Sequence, residues 1–308
     1  MKVIFSLSKI KRYPRAVVCL GVFDGVHLAH RRILLDAANM ARAIKGRSVA
    51  VTFWPHPQKE EALYSLNHRI SLIGQLGIDT CVVIRFNKAF ARLSAERFIS
   101  DILVKKLGAE YIYVGENFRF GRRAEGDIRL LGRLSRRYNF TLRLYDVMKI
   151  RGRPISSTYI RRLITCGDLK NAQLLLGTPV SVLGTVKKGD SLARGWGMPT
   201  ANIDPHHEII PPSGVYASRA ILNNRIFPAL CYVGIRPTIV KQNTGAVKLR
   251  PKNIEVHLFG LRRDIYGQEL QVQFIKKIRA ERRFVSIEAL VREIKKDILS
   301  ARKILSLH

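Results

Sequence analysis

Two textures of apolar and polar positions divide the chain. In the first 180 residues, four short runs are almost continuously apolar: 16–22 (AVVCLGV), 48–54 (SVAVTFW), 80–86 (TCVVIRF) and 110–115 (EYIYVG). Strands of a parallel sheet, covered on both faces, have this character. Between them the period lengthens. Over 31–45, Ile33, Leu34, Ala37, Ala38, Ala41 and Ile44 share one helical face, and Ser94 is placed to cap a second helix with Phe98, Ile99, Ile102, Leu103 and Leu107 inward. Strand–helix alternation predicts a doubly wound parallel-sheet α/β domain.

After 175–177 the runs become shorter and are punctuated by Gly, Pro and Asn. Strands are predicted at 181–186, 215–222, 230–233, 254–259 and 270–278, which reads as an antiparallel barrel or sandwich. A last helix is predicted over 286–305, with Ile287, Leu290, Val291, Ile294, Ile298 and Leu299 on one stripe. The expected division is 1–180 and 181–308. The length of 308 residues suits two domains, each able to bury a core.

Charge adds a constraint on partners. Lys and Arg number 54 against 23 Asp and Glu, a formal net charge of +31. Residues 1–180 carry 32 basic and 13 acidic groups, so the excess is spread over both parts and is not a basic tail. Such a field attracts anions of any kind, from nucleotides to nucleic acid, without choosing among them. The doublets Arg122–Arg123, Arg136–Arg137, Arg161–Arg162, Arg262–Arg263, Lys276–Lys277 and Arg282–Arg283 are scattered, with no nucleic-acid module around them. A basic nucleic-acid-binding protein is therefore the distant alternative. The longest uncharged run, 171–186, is too short and too interrupted to span a membrane. The cysteines (Cys19, Cys81, Cys166, Cys231) lack paired spacing, which fits free thiols in the cytoplasm.

The first chemical constellation is the segment 20–30, LGVFDGVHLAH, where the first strand meets the first helix. In an open α/β sheet this crevice is the expected ligand site, and the new helix presents free N–H groups to an anion. His27 and His30 are spaced to share a helical face and donate to phosphates, while Gly21 and Gly25 permit close backbone approach. The second constellation is Pro199-Thr200-Ala201-Asn202. By itself this is a turn motif, but a hydroxyl and an amide oxygen two residues apart are hard ligands suited to Mg²⁺.

GVFDGVHLAH resembles the G-x-F-D-G-x-H-x-G-H signature of nucleotidylyltransferases, in the form used by bacterial bifunctional riboflavin kinase/FAD synthetases. Further motifs follow in order: TFWPHP at 52–57, VGENFRFG at 114–121, Gly126-Asp127, and ISSTYIR at 155–161. The second part is similar to the riboflavin kinase signature G-R-x-L-G-F-P-T-A-N, here Arg194-Gly195-Trp196-Gly197-Met198-Pro199-Thr200-Ala201-Asn202. It continues with PSGVYA at 212–217, VGIRPT at 233–238, IEVHL at 254–258 and DIYG at 264–267.

The resemblance implies a Rossmann-like FMN adenylyltransferase domain followed by a riboflavin kinase barrel, making FMN and then FAD from riboflavin with ATP and Mg²⁺. It implies that Gly21, Phe23, Asp24, Gly25, His27, His30, Ser157, Thr158 and Arg161 bind ATP for adenylyl transfer, with His27 and His30 also catalytic, stabilising the transition state. Asn117 and Phe118 would contact FMN. Gly184, Gly189, Arg194, Thr200 and Asn202 would hold Mg·ATP in the kinase, with Thr200 and Asn202 on the metal, and Glu255 would be the general base. The alternative is adenylyl transfer alone, with a degenerate kinase module that binds flavin or is structural. Partners are small molecules, with no specific nucleic acid and no membrane, on a monomer or weak homo-oligomer. Three departures stand out. Ala29 replaces Gly inside H-x-G-H, where its methyl would crowd adenosine. Ala193 replaces the Gly of the G-R pair. Tyr232 stands in Cys231-Tyr232-Val233, where the family writes Ala-Asn-Ile.

Overall fold

The structure is a computed structural model that describes residues 1–55, 62–188, 198–235, 252–261 and 263–306. The chain divides into two compact units, Met1–Tyr159 and Ile160–His308.

In the first unit the buried runs become strands. The order is β1 (Lys2–Ile4), β2 (Ala16–Leu20), α1 (Leu28–Ala43), β3 (Arg47–Trp54), α2 (Leu66–Gln75), β4 (Thr80–Arg85), α3 (Lys88–Ala91) and α4 (Ala95–Arg97). Then come β5 (Ala109–Gly115), α5 (Ile128–Tyr138), β6 (Thr141–Tyr145) and a small hairpin of β7 (Lys149–Ile150) and β8 (Arg153–Pro154). The main sheet has the order β1-β4-β3-β2-β5-β6, and every pairing in it is parallel. From β2 the chain winds one way through β3 and β4, then returns to place β5 on the other side of β2. The switch point of this doubly wound sheet lies between β2 and β5.

The expected helical faces are the buried ones. Ile33, Leu34, Ala37, Ala38 and Ala41 of α1 are buried, and Ile44 is its C-cap. Ser94 caps α4 through a bond from the Arg97 N–H. That helix then widens into a π-helical stretch, Phe98–Lys106, whose end is marked by the Leu107 N–H bonding the Ile102 carbonyl. Phe98, Ile99, Ile102, Leu103 and Leu107 are all in the core.

The second unit begins within α6 (Ser157–Cys166) and continues through α7 (Leu169–Leu176), which Gly177 ends in a left-handed conformation. Six strands follow: β9 (Ser181–Lys187), β10 (Ala201–Asp204), β11 (Gly214–Leu222), β12 (Arg225–Ile235), β13 (Lys252–Leu258) and β14 (Glu269–Arg279). They close as β10-β13-β12-β11-β14-β9, with β9 pairing back to β10, so the expected barrel or sandwich is a closed antiparallel barrel.

The terminal helix α8 (Ile287–Ile304) is capped by Ser286. It covers part of the outer wall, where Ile294, Ile298, Ile304, Leu305 and Ala301 pack with Val215, Ala217, Leu230 and Phe259. The buried stripe is turned from the one expected. Ile287 and Leu299 are 59 % and 68 % exposed, while Asp297 is buried because Arg279 holds its carboxylate with bonds of 2.9–3.1 Å.

Candidate active sites

At the switch point, a pocket of about 360 Å³ is lined by the ends of β2 and β5 and the loops beyond them. Gly21, Phe23, Asp24, His27, His30, Asn117, Phe118, Ser157 and Thr158 line it together, though the sequence separates the first from the last by more than a hundred residues. The turn after β2 is held open by specific bonds. The Val22 carbonyl accepts from Thr52 Oγ1 at 2.8 Å and from Arg69 Nη1 at 2.5 Å. Phe23, Gly25 and Val26 all have positive φ, which glycine adopts freely but Phe23 and Val26 keep only where surroundings over-determine it. A Cβ on Gly21 would stand 3.0 Å from the Phe23 ring, so this glycine makes room for that ring.

Asp24 is buried, and its Oδ1 accepts from the N–H groups of Leu63 and Tyr64 at 2.8 and 3.3 Å. Its carbonyl accepts from Ser157 Oγ at 2.9 Å, which ties the loop before α6 to the first turn. Ser156 Oγ accepts the Tyr159 N–H, so the two adjacent serines divide the work of cap and tether. Arg161 follows on the next turn of α6.

His27 is the N-cap of α1, its Nδ1 accepting the His30 N–H at a long 3.5 Å. The two rings stack with centroids 3.6 Å apart, and Phe23 meets His30 edge-on. Burial pushes the His27 pKa down to about 4. His30 lies well below the ordinary value, through burial first and then the neighbouring His27 and Arg69. Both rings are therefore neutral at pH 7. With Nδ1 of His27 accepting, its proton is on Nε2.

Arg69 escaped the sequence reading. It is fully buried under the turn, bonds Val22 and the Phe53 carbonyl, and stacks on Trp54. Its only signal was an Arg inside an otherwise buried helical face. His56, part of the TFWPHP motif, lies outside the described residues.

A second, more apolar pocket of about 550 Å³ adjoins the first in the same unit. It shares Val22, Asn117 and Phe118, and Phe53, Phe86, Phe90 and Phe98 surround it. Phe118 and Phe120 stack at 5.5 Å.

On the barrel, cross-strand register passes through one residue of each strand in turn: Lys187, Asn202, Glu255, Tyr232, Val215 and Arg279. In β13, Asn253, Glu255 and His257 are half-exposed while Ile254, Val256 and Leu258 are buried, so this row faces outward. Asn202 and Glu255 are direct partners. Asn253 Nδ2 donates to Glu255 Oε1 at 2.6 Å and lies 3.4 Å from Asn202 Oδ1, bridging the two. Asn253 was also missed, although its spacing of two from Glu255 places it on the same face. His257 Nδ1 bonds the Pro199 carbonyl at 2.9 Å and so anchors the segment carrying Thr200. Thr200 lines a pocket of about 150 Å³ with Arg263, Asp264 and Tyr266. Gly184 packs where a Cβ would stand 2.2 Å from the Asp204 carbonyl, which gives it a structural reason in β9. Gly189, Arg194 and Ala193 lie outside the described residues.

A parallel sheet with a phosphate-suited switch point, followed by a small barrel with a carboxylate beside hard oxygen ligands, defines a two-module nucleotide-dependent transferase. The FAD synthetase model matches residues 9–159 and the riboflavin kinase model matches 176–305. The bifunctional riboflavin kinase/FMN adenylyltransferase of Escherichia coli K12 is 34 % identical over all of this chain and 99 % of its own. That of Bacillus subtilis is 33 % identical over 92 % of this chain and 90 % of its own. A solved structure described as a macrolide-efflux protein from Streptococcus pneumoniae shares the fold, with a TM-score of 0.78, 26 % identity and coverage of 97 % and 98 %. Among the described residues no helix is long and apolar enough to cross a membrane. The chain belongs to the family of bifunctional riboflavin kinase/FMN adenylyltransferases.

Proposed function

We propose that this chain phosphorylates riboflavin to FMN at the barrel and transfers AMP from ATP to FMN at the switch-point pocket, releasing pyrophosphate. The carrying observation is convergence: residues from four separate stretches of chain line one pocket, and Asn202 and Glu255 are register partners on the other unit. The assignment follows the division 1–180 for adenylyl transfer and 181–308 for phosphorylation.

For adenylyl transfer, the ATP phosphates lie against the N-terminus of α1, His27, His30, Gly21, Gly25 and the segment carrying Ser157, Thr158 and Arg161. Phe23 and Asp24 shape that turn, Phe23 through His30 and Asp24 through its backbone bonds. Asn117 stands between the two pockets, so FMN can place its phosphate there and its ring among the phenylalanines beside Phe118. An FMN phosphate oxygen attacks the α-phosphorus as the bond to pyrophosphate breaks. The chain contributes positioning and charge compensation, with His27 donating from Nε2.

For phosphorylation, Glu255 accepts the proton of the riboflavin 5′-hydroxyl, whose oxygen attacks the γ-phosphorus while ADP departs. Thr200 and Asn202 offer hard oxygens of the kind Mg²⁺ takes, with ATP phosphates and water completing the shell, and the adjacent Asn253 orients Asn202 Oδ1. Mg²⁺ would neutralise phosphate charge there. By the resemblance, Gly184, Gly189 and Arg194 would contribute to binding Mg·ATP. The substrates are small molecules, the chain acts as a monomer or weak homo-oligomer, and its unpaired Cys19, Cys81, Cys166 and Cys231 suit the cytoplasm.

The test is one chromatographic assay. Riboflavin and FMN are incubated separately with Mg·ATP, and FMN and FAD are quantified. Both conversions are expected. FAD from FMN without FMN from riboflavin would reduce the barrel to a binding module, and neither product would overturn the reading.

A further inference from the structure

The row of residues around the barrel is asymmetric about Glu255. On one side stands Asn202, beside Thr200 and the pocket of the ATP side. On the other stands Tyr232, the register partner of Glu255 on β12. In an in-line transfer the acceptor hydroxyl meets the γ-phosphorus on the side away from ADP and gives its proton to the base, so with ATP on the Asn202 side of Glu255 the rest of the acceptor lies toward Tyr232. The phenol crosses the backbone of Gly234, whose missing side chain makes the room: a Cβ there would stand 2.1 Å from the Tyr232 hydroxyl. That hydroxyl donates a short hydrogen bond to Glu281 Oε1, in the connection between β14 and α8.

Glu281 is fixed from both sides. Arg279 before it is bonded to the buried Asp297, and Arg282 after it pairs with Glu293. Both guanidiniums stack on Phe284, at 5.5 and 4.9 Å from its centre. The carboxylate is thus presented from an anchored segment, at the edge of the apolar cover that α8 lays over the barrel.

We propose that Tyr232 and Glu281 form the acceptor-side clamp of the kinase site, the phenol fixing the carboxylate beside Glu255 where it receives the hydroxyls of the riboflavin side chain. The proposal rests on the barrel being the riboflavin site. A polyhydroxylated chain is well matched by a carboxylate with one oxygen already bonded, because an ionised acceptor strengthens each hydroxyl bond. Burial, and after it the Glu281 carboxylate, pushes the Tyr232 pKa up, so the phenol remains a donor. Tyr232 is a positioning residue and Glu281 a binding residue in this scheme.

The experiment uses the full chain with Tyr232→Phe and Glu281→Gln, both of which keep volume and packing. Initial rates of FMN formation give KM for riboflavin and for ATP separately, and conversion of supplied FMN to FAD is followed in the same preparations. The expected result is a rise of about tenfold in the riboflavin KM for each variant, the scale of one lost hydrogen bond to a charged group. The ATP KM and FAD formation stay within twofold. An unchanged riboflavin KM in both variants overturns the clamp. So does a parallel rise in both KM values, which marks a structural disturbance. If the wild-type chain makes no FMN, the kinase reading fails by itself, and quenching of riboflavin fluorescence on titration decides the clamp: weaker binding in the variants supports it, while equal or absent binding overturns it.

Discussion

The stacked pair His27 and His30 is neutral in the fold, and neutrality has a pH-dependent cost. An unfolded histidine takes up a proton near its ordinary value of 6.5, whereas folded His27 does so only at about 4. Between these values the unfolded chain holds more protons, so stability rises with pH, is fully present above about 6.5 and is lost as pH falls toward 4. For His27 this is about 3 kcal/mol. Urea midpoints of the wild-type chain should drop from pH 7 to pH 5, and His27→Asn should flatten that slope. With ATP phosphates bound at this pair as proposed, ATP binding should take up protons in this window, because the phosphates favour the charged rings. Calorimetric titration in two buffers of different ionisation enthalpy, at about pH 5.5, should show the uptake, and equal heats in both would refute it.

Ala29, beside these rings, lines the pocket in the first turn of α1. Replacing it by Gly removes a methyl from the wall at a helix-propensity cost of about 0.5–1 kcal/mol. The KM for ATP in adenylyl transfer should fall a few-fold; no change would show that the methyl does not meet the nucleotide.

At the scale of elements, much of the architecture was legible. Strands β2 to β5 announced themselves because burial on both faces leaves no polar alternation, and α1 because its apolar positions repeat every three or four residues. What escaped were elements whose stability comes from neighbours. β1 has three residues at an edge, and β6 carries Arg143 on a half-exposed strand whose guanidinium stacks on Tyr113 and Tyr145. β10 was hidden inside a motif that reads as a turn. The site was legible as a set of motifs, but Arg69 and Asn253 lie outside those motifs, and their local signals, an Arg on an apolar helical face and a spacing of two from Glu255, are too weak alone to mark a buttress.

Helix α8 shows the same limit, for its stripe could be read only by ignoring Asp297. That carboxylate and Arg279 form a largely buried pair, with side chains 4 % and 18 % exposed. Asp297→Ala would leave the guanidinium only the Ala280 carbonyl and Glu293 at 4.0 Å, at a cost of about 3 kcal/mol. Thermal unfolding should show the barrel unit melting earlier, while replacement of the exposed Leu299 by a polar residue leaves it nearly unchanged.

At the scale of the molecule, the two chemistries reside in separately built units, so they should be separable by single substitutions. Glu255→Gln should abolish FMN formation from riboflavin and leave FAD formation from supplied FMN intact, whereas replacing His27 and His30 by Asn should do the reverse. The net charge of +31 acts over both units. Few of the 54 cations lie in the motifs, so most of the excess can act only through the long-range field. Added salt should lower kcat/KM for ATP more than kcat, since screening weakens capture before it touches chemistry.

The row of outward residues around the barrel has a consequence for how this sequence can change over time. Lys187, Asn202, Glu255 and Tyr232 share a face only because each strand keeps its odd–even order. A one-residue insertion or deletion within β13 exchanges the outward and inward sets, sending Glu255 into the core and Ile254 to the surface. Two inserted residues restore the alternation and merely shift the height. Lineages of this chain are therefore free to drift in composition along β13 yet are held to its parity, and length changes that survive there should come in even steps.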